Sequence, residues 1–114
     1  MENDLYNEIL AKRKELNQAT RLLTETGKAR AKAEYRYQVL KTSECLKMRD
    51  QGMPVGLIEQ TVRGIPEVAK VRFKRDVADV NYDANRDHIN SLKLELRLLE
   101  NQLQREWTAA GETL

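Results

Sequence analysis

From Pro66 to Ala109 the chain repeats apolar and small residues at alternating steps of three and four, with no proline inside the run. The line is Val68, Val71, Arg75, Ala78, Tyr82, Asn85, Ile89, Leu92, Leu96, Leu99 and Leu103, ending at Glu106 or Trp107. That period places all of these side chains on one narrow stripe of a helix, the stripe that packs against a partner helix. At 1.5 Å per residue the helix is roughly 65 Å long. A helix of that length cannot fold back on itself, so the rest of the chain is expected to cover its seam.

The remaining sequence supplies a cover of matching length. Asn3 or Asp4 is a capping residue for a first helix, with Glu8 in the first turn, where negative charge suits the helix dipole. This helix is expected over about 4–49. Its stripe of Leu5, Ile9, Leu16, Ala19, Leu23, Thr26, Ala33, Tyr37 and Leu40 is less apolar, because Lys12, Arg30 and Glu44 also fall on it. Gly27, followed by Ala29, Ala31 and Ala33, reads either as a crowded crossing point or as ordinary alanine-rich filler. Residues 50–65 form the corner. Gly52 fits a left-handed helix end and Pro54 stops the helix; Leu57, Ile58 and Val62 belong to a short helix; Gly64 ends it, and Pro66 opens the second long helix over 66–109. The tail from Gly111 is expected to fray.

The fold class that follows is all-α: one domain over 1–114, a long antiparallel helical hairpin resembling a coiled coil, with a short corner helix. Placing the reversal midway through the corner pairs Ile9 with Trp107, Leu16 with Leu99, Leu23 with Leu92 and Tyr37 with Ala78. It also sets Glu44 beside Arg72 and Arg75, and Arg30 near Asn85, Arg86 and Asp87. A two-helix core is thin, and Leu10, Leu22, Val39, Leu46, Val77, Val80, Leu94 and Leu98 sit outside the seam. A four-helix homodimer is therefore expected, with Val77, Val80, Ile89, Leu92, Leu96, Leu99, Leu103 and Trp107 as candidate self-association residues.

Composition narrows the chemistry. One third of the 114 residues are charged, yet the net charge is only +2, too little on its own to mark a nucleic-acid or membrane partner. The single cysteine, Cys45, excludes an internal disulfide, and with a lone His88 a zinc site of the usual type is out of reach. The N-terminus is unlike a signal peptide and no run reaches the ~20 apolar residues of a membrane span, so a cytoplasmic location and no membrane partner are expected. Asp87 beside His88 is a poor catalytic pair, since neighbours on a helix point apart. Cys45 reads as a small apolar residue or, near Lys41, Lys47 and Arg49, as a thiol of lowered pKa. Gly52, Gly56 and Gly64 are too widely spaced for a phosphate loop. No enzyme activity, metal or cofactor is expected.

Charge is unevenly spread. From Lys28 to Arg75 the chain is basic, whereas Asp76, Asp79, Asp83 and Asp87 form an acidic ridge expected to lie along Lys28, Lys32 and Arg36. Around the corner, Arg63, Lys70 and Lys74 are candidate contacts to a DNA or RNA backbone, engaging three or four phosphates without sequence preference.

The segments KARAKAEYRYQVLKT, LKMRDQGMPVGLIEQTVRG, VAKVRFKRDVADVNYDA and INSLKLELRLLENQLQREW together resemble small helical proteins of phages and prophages of Gram-positive bacteria, which occur among replication and recombination genes. The resemblance spans nearly the whole chain, with RDQGMPV and FKRDVA its most distinctive parts. It implies a non-enzymatic accessory or adaptor working through helical contacts with a phage or host protein, or an accessory that binds nucleic acid, and it carries no activity over to particular residues. The hairpin is also similar in shape to the small secreted proteins with a Trp-X-Gly corner, but the corner here lacks that motif and Trp107 lies at the other end of the hairpin.

Overall fold

The computed structural model describes residues 2–113, with side chains over 4–111. It is built of three helices, α1 (Glu2–Asp50), α2 (Val55–Arg63) and α3 (Pro66–Thr113), and no strand occurs among the described residues. The helical hairpin with a corner helix is thus present. Both long helices overrun their expected bounds. Asp4 lies inside α1 instead of capping it, and the Asn3 side chain is outside the described residues. The tail expected to fray from Gly111 continues α3 to Thr113.

The corner follows its residues closely. Gly52 adopts φ 83°, a left-handed conformation that costs glycine nothing. The Gly52 N–H donates to the Arg49 carbonyl at 3.0 Å and the Met53 N–H to the Met48 carbonyl at 3.1 Å, so the end of α1 is closed by a Schellman motif. Pro54 precedes the first residue of α2 and Pro66 is the first residue of α3, the helix position at which a missing N–H matters least.

Two compact units share the long helices: Met1–Thr24 with Ala84–Leu114, and Glu25–Asp83. In the first unit Leu5, Ile9 and Leu96 are buried together with Leu16, Leu99 and Leu103 against them. Ala19, Ile89 and Leu92 form a neighbouring cluster, flanked by Leu16 and Leu23. Asn85 is the one buried polar residue among those described, and its Nδ2 donates to the Ala19 carbonyl at 3.1 Å. In the second unit Tyr37, Ile58, Val62 and Val68 form the core, with Leu40, Cys45, Met48, Met53, Ile65 and Val71 packed on it. Ile58 and Val62, one turn apart, are the buried face of α2. Each large apolar side chain so buried stabilises the fold by about 1.5–3 kcal/mol. Cys45 is half-buried against this core, the environment of a small apolar residue.

Within each unit α1 and α3 run antiparallel, but the register differs from the expected one. Lys12 meets Glu95 and Arg13 meets Glu100 in the first unit; Arg30 meets Asp79 and Glu34 meets Arg75 in the second. Partners on α3 therefore sit, on average, roughly two turns nearer its start than expected. Ile9 shares a cluster with Leu96, and Tyr37 stacks on Arg75 in place of Ala78. Glu44 pairs with Lys47 of its own helix, and Arg75 with Asp76 and Glu34. The reason lies in the corner. The chain reverses at Gly52–Pro54, before α2, so α2 belongs to the returning limb and packs on the end of α1; Lys41 and Glu59 are 3.2 Å apart.

Candidate interaction surfaces

The basic corner belongs to the second unit, and its three candidate residues fare differently. Arg63, the last residue of α2, donates from Nη2 to Glu59 Oε1 at 3.2 Å, one turn earlier on the same helix. Lys41 reaches the same oxygen at 3.2 Å. The hydrogen bond from Lys41, then its charge and that of Arg63, hold the Glu59 carboxyl below the usual carboxylate range. Arg63 is thus committed to a carboxylate. Lys70 and Lys74, one turn apart on α3, are exposed and make no ion pair. Arg75 is fully engaged. It donates to Asp76 Oδ1 at 2.9 Å and stacks 4.3 Å over the Tyr37 ring, and its guanidinium is held above the ordinary value chiefly by the Asp76 hydrogen bond.

Within the chain the acidic ridge and the Lys28, Lys32, Arg36 row do not pair with one another. Asp79 binds Arg30 at 3.0 Å and Asp76 binds Arg75, whereas Lys28, Lys32 and Arg36 make no ion pair. The Arg30 guanidinium also lies 4.9 Å over the Tyr82 ring, which packs beside Gly27. A Cβ built on Gly27 would meet that ring at 3.6 Å, an ordinary contact distance. Gly27 is therefore next to an aromatic side chain, and no second backbone crosses there.

Of the candidate self-association residues, Ile89, Leu92 and Leu96 are buried within the first unit's own seam, and Leu99 and Leu103 pack against it. These five are occupied by α1. Val77, Val80 and Trp107 face outward, 41 %, 65 % and 68 % exposed. They have company on the outer faces. In the second unit α3 shows Phe73, Val77 and Val80, and α1 shows Tyr35, Val39 and Leu46. In the first unit Leu94 and Leu98 stand one turn apart on the outside of α3. An apolar groove there is lined by Tyr6, Ile9, Arg13, Glu100, Leu103, Gln104 and Trp107, with the 3.0 Å Arg13–Glu100 ion pair at its rim. Steps of four and three put Phe73, Val77 and Val80 on one stripe half a turn from the seam, of which the sequence repeat singles out Val77 and Val80 but not Phe73.

His88 is half-exposed, with Nε2 3.5 Å from Glu15, and Asp87 does not orient it. Among the described residues no group of three or more His, Cys, Asp or Glu side chains is arranged to hold a metal ion. Among the described residues no helix is long and apolar enough to cross a membrane. No protein-family model, curated protein or solved structure matches the chain.

Proposed function

We propose that this chain is a non-enzymatic accessory or adaptor protein that works through helical protein–protein contacts, in the cytoplasm of a bacterial cell carrying a phage or prophage. The observation that carries the reading is the pair of outward apolar faces on the second unit: Tyr35, Val39 and Leu46 on α1, Phe73, Val77 and Val80 on α3. The hairpin's own core is complete without them, and apolar side chains aligned in rows on a helix are what a partner helix packs against. The phage-protein resemblance of the sequence supports the setting. The test is retrieval from prophage-carrying cells with the wild type and with Val39→Asp and Val80→Asp. A partner bound through these faces is lost from both variants or from one. A partner retained by both overturns the reading.

A second reading rests on Lys70 and Lys74, two exposed cations one turn apart and without a carboxylate partner. In it the corner touches a nucleic-acid backbone. With Arg63 committed to Glu59, one copy engages about two phosphates, giving a log–log salt slope of roughly −2 on duplex DNA. Fluorescence anisotropy across a salt series decides it: Lys70→Ala/Lys74→Ala abolishes low-salt binding if the reading holds, and equal binding by this variant refutes it.

A further inference from the structure

We propose that the second unit carries a binding site for single-stranded nucleic acid, built from one short pattern that occurs on both of its long helices. On α1 the pattern is KAEYR, residues 32–36, and on α3 it is KVRFK, residues 70–74. Each is a lysine, two residues, an aromatic and a second cation. Lys32, Arg36, Lys70 and Lys74 are exposed and none makes an ion pair. Tyr35 and Phe73 are 69 % and 67 % exposed. The proposal rests on the corner reading of Lys70 and Lys74 and extends that contact across to α1.

The fold brings the two patterns side by side. Arg30 opposite Asp79 and Glu34 opposite Arg75 fix the antiparallel register, which sets Tyr35 level with Lys74 and Arg36 level with Phe73. Those ion pairs occupy one flank of the second unit. At about 100° per residue, Arg36 and Lys74 turn to the opposite flank, with Lys32 and Lys70 on its outer edge. The two cations of each helix are about 6 Å apart along its axis. Each lysine stands three residues before its aromatic, so ammonium and ring are neighbours on the helix surface.

The carboxylates of this unit do not cancel the set. Glu34, Asp76 and Asp79 are held by Arg75 and Arg30, Glu44 by Lys47, and Glu59 by Lys41 and Arg63. Glu67, one turn before Lys70, is the nearest exposed carboxylate without an ion pair. Glu25 lies about two turns before Lys32, Asp83 more than two beyond Lys74, and Asp50 about four beyond Arg36. Four cations against one neighbouring carboxylate suit a polyanion.

Cations alone fit any polyanion, and the aromatics narrow the choice. Two exposed rings, each beside a cation, are stacking platforms for bases, whose faces are open in a single strand and covered in a duplex. An acidic peptide uses the cations and leaves the rings in water, and two rings are too small an apolar face for a lipid surface. Val39, Leu46, Val77 and Val80 take no part.

Fluorescence anisotropy with a labelled oligothymidylate of ~20 nucleotides and a duplex of equal length, across a salt series, tests this. The wild type is expected to bind the single strand more tightly than the duplex, with a log–log salt slope of roughly −3 for four cations. Lys32→Ala/Arg36→Ala is expected to halve that slope, and Tyr35→Ala/Phe73→Ala to keep it while lowering affinity roughly ten-fold. Lys93→Ala/Arg97→Ala, which removes two exposed cations of the first unit, is expected to bind as the wild type does. Lys32→Gln/Arg36→Gln repeats the test should the alanine pair alter the helical circular dichroism. Tighter binding of the duplex, wild-type binding by the α1 or the aromatic variant, or displacement of the oligonucleotide by poly-glutamate of equal charge overturns the proposal. If Lys70→Ala/Lys74→Ala loses duplex binding while Lys32→Ala/Arg36→Ala keeps the wild-type slope, this proposal falls and the corner reading stands. A wild type that binds neither oligonucleotide removes both.

Discussion

Leu92→Ala against Leu98→Ala measures how far stability resides in the seam. Both are leucines of α3 less than two turns apart; Leu92 is 2 % exposed in the cluster with Ala19 and Ile89, and Leu98 is 59 % exposed. Truncating a buried leucine costs about 2–5 kcal/mol, the sum of lost transfer energy and a residual cavity. The Ala19 cluster has few buried members and is open to Leu16 and Leu23, which are only half-buried and free to close in. The lower end, about 2–3 kcal/mol, is therefore expected. At roughly 4 °C per kcal/mol for a chain of this size, Tm falls by about 10 °C. Leu98→Ala is expected within about 0.5 kcal/mol of wild type. Thermal and urea unfolding followed by circular dichroism gives both numbers. If Leu98→Ala costs as much as Leu92→Ala, the assignment of inner and outer faces in the first unit is wrong.

Further perturbations probe the corner and the register. Gly52→Ala forces a side chain into φ 83° and is expected to cost about 1 kcal/mol in urea unfolding. Gly27→Ala is expected to stabilise by up to about 1 kcal/mol, because its Cβ meets only the Tyr82 ring at ordinary distance; a loss of stability would show that the ring cannot stay where it is. A double-mutant cycle on Arg30 and Asp79, both partly exposed at 3.0 Å, should give a coupling of about 0.5 kcal/mol, whereas Arg30 with Asp87 should give none. Glu59 titrates below the usual carboxylate range in the folded protein. Its contribution is thus present above the ordinary carboxylate pKa and disappears as pH falls from there through the lowered value. Glu59→Gln should flatten that part of the stability–pH curve, and an unchanged curve would place the Lys41–Glu59 contact outside solution behaviour.

The two long helices and their stops were legible in the sequence because the evidence for them is local: an unbroken three-and-four repeat, Gly52 before Pro54, and Pro66 at a helix start. The register was not. Equal helix lengths point to a reversal at the middle of the corner, while the reversal is set by the Gly52 turn and by the docking of Ile58 and Val62, which depend on the three-dimensional core. Side-chain partners moved with it: Arg30 reaches Asp79, not Asp87. The candidate corner site was legible only in part. Glu59 four residues before Arg63 is an arrangement favourable on any helix, and reading it would have removed Arg63 from the patch in advance. The outer rows of the second unit were legible in part: the repeat already places Val39, Leu46, Val77 and Val80 outside the seam, whereas Tyr35 and Phe73 join them only in the structure.

Asn85 bears on a hazard peculiar to repeats. Sliding one strand of a heptad pattern by seven residues brings apolar side chains back over apolar side chains, so leucines alone discriminate poorly between neighbouring alignments. The Asn85 amide reaches a main-chain oxygen because residue 19 is alanine and buried, with no bulk in the way. A slip of one heptad would present it with Lys12 or Thr26, whose larger side chains stand over the corresponding carbonyls, and the next alanine on that line is Ala33, two heptads on. A buried amide left without an acceptor costs about 1–3 kcal/mol. One asparagine facing one alanine thereby works as a key on an otherwise uniform ratchet, and exchanging it for leucine would leave a chain that holds together more firmly while being less particular about where.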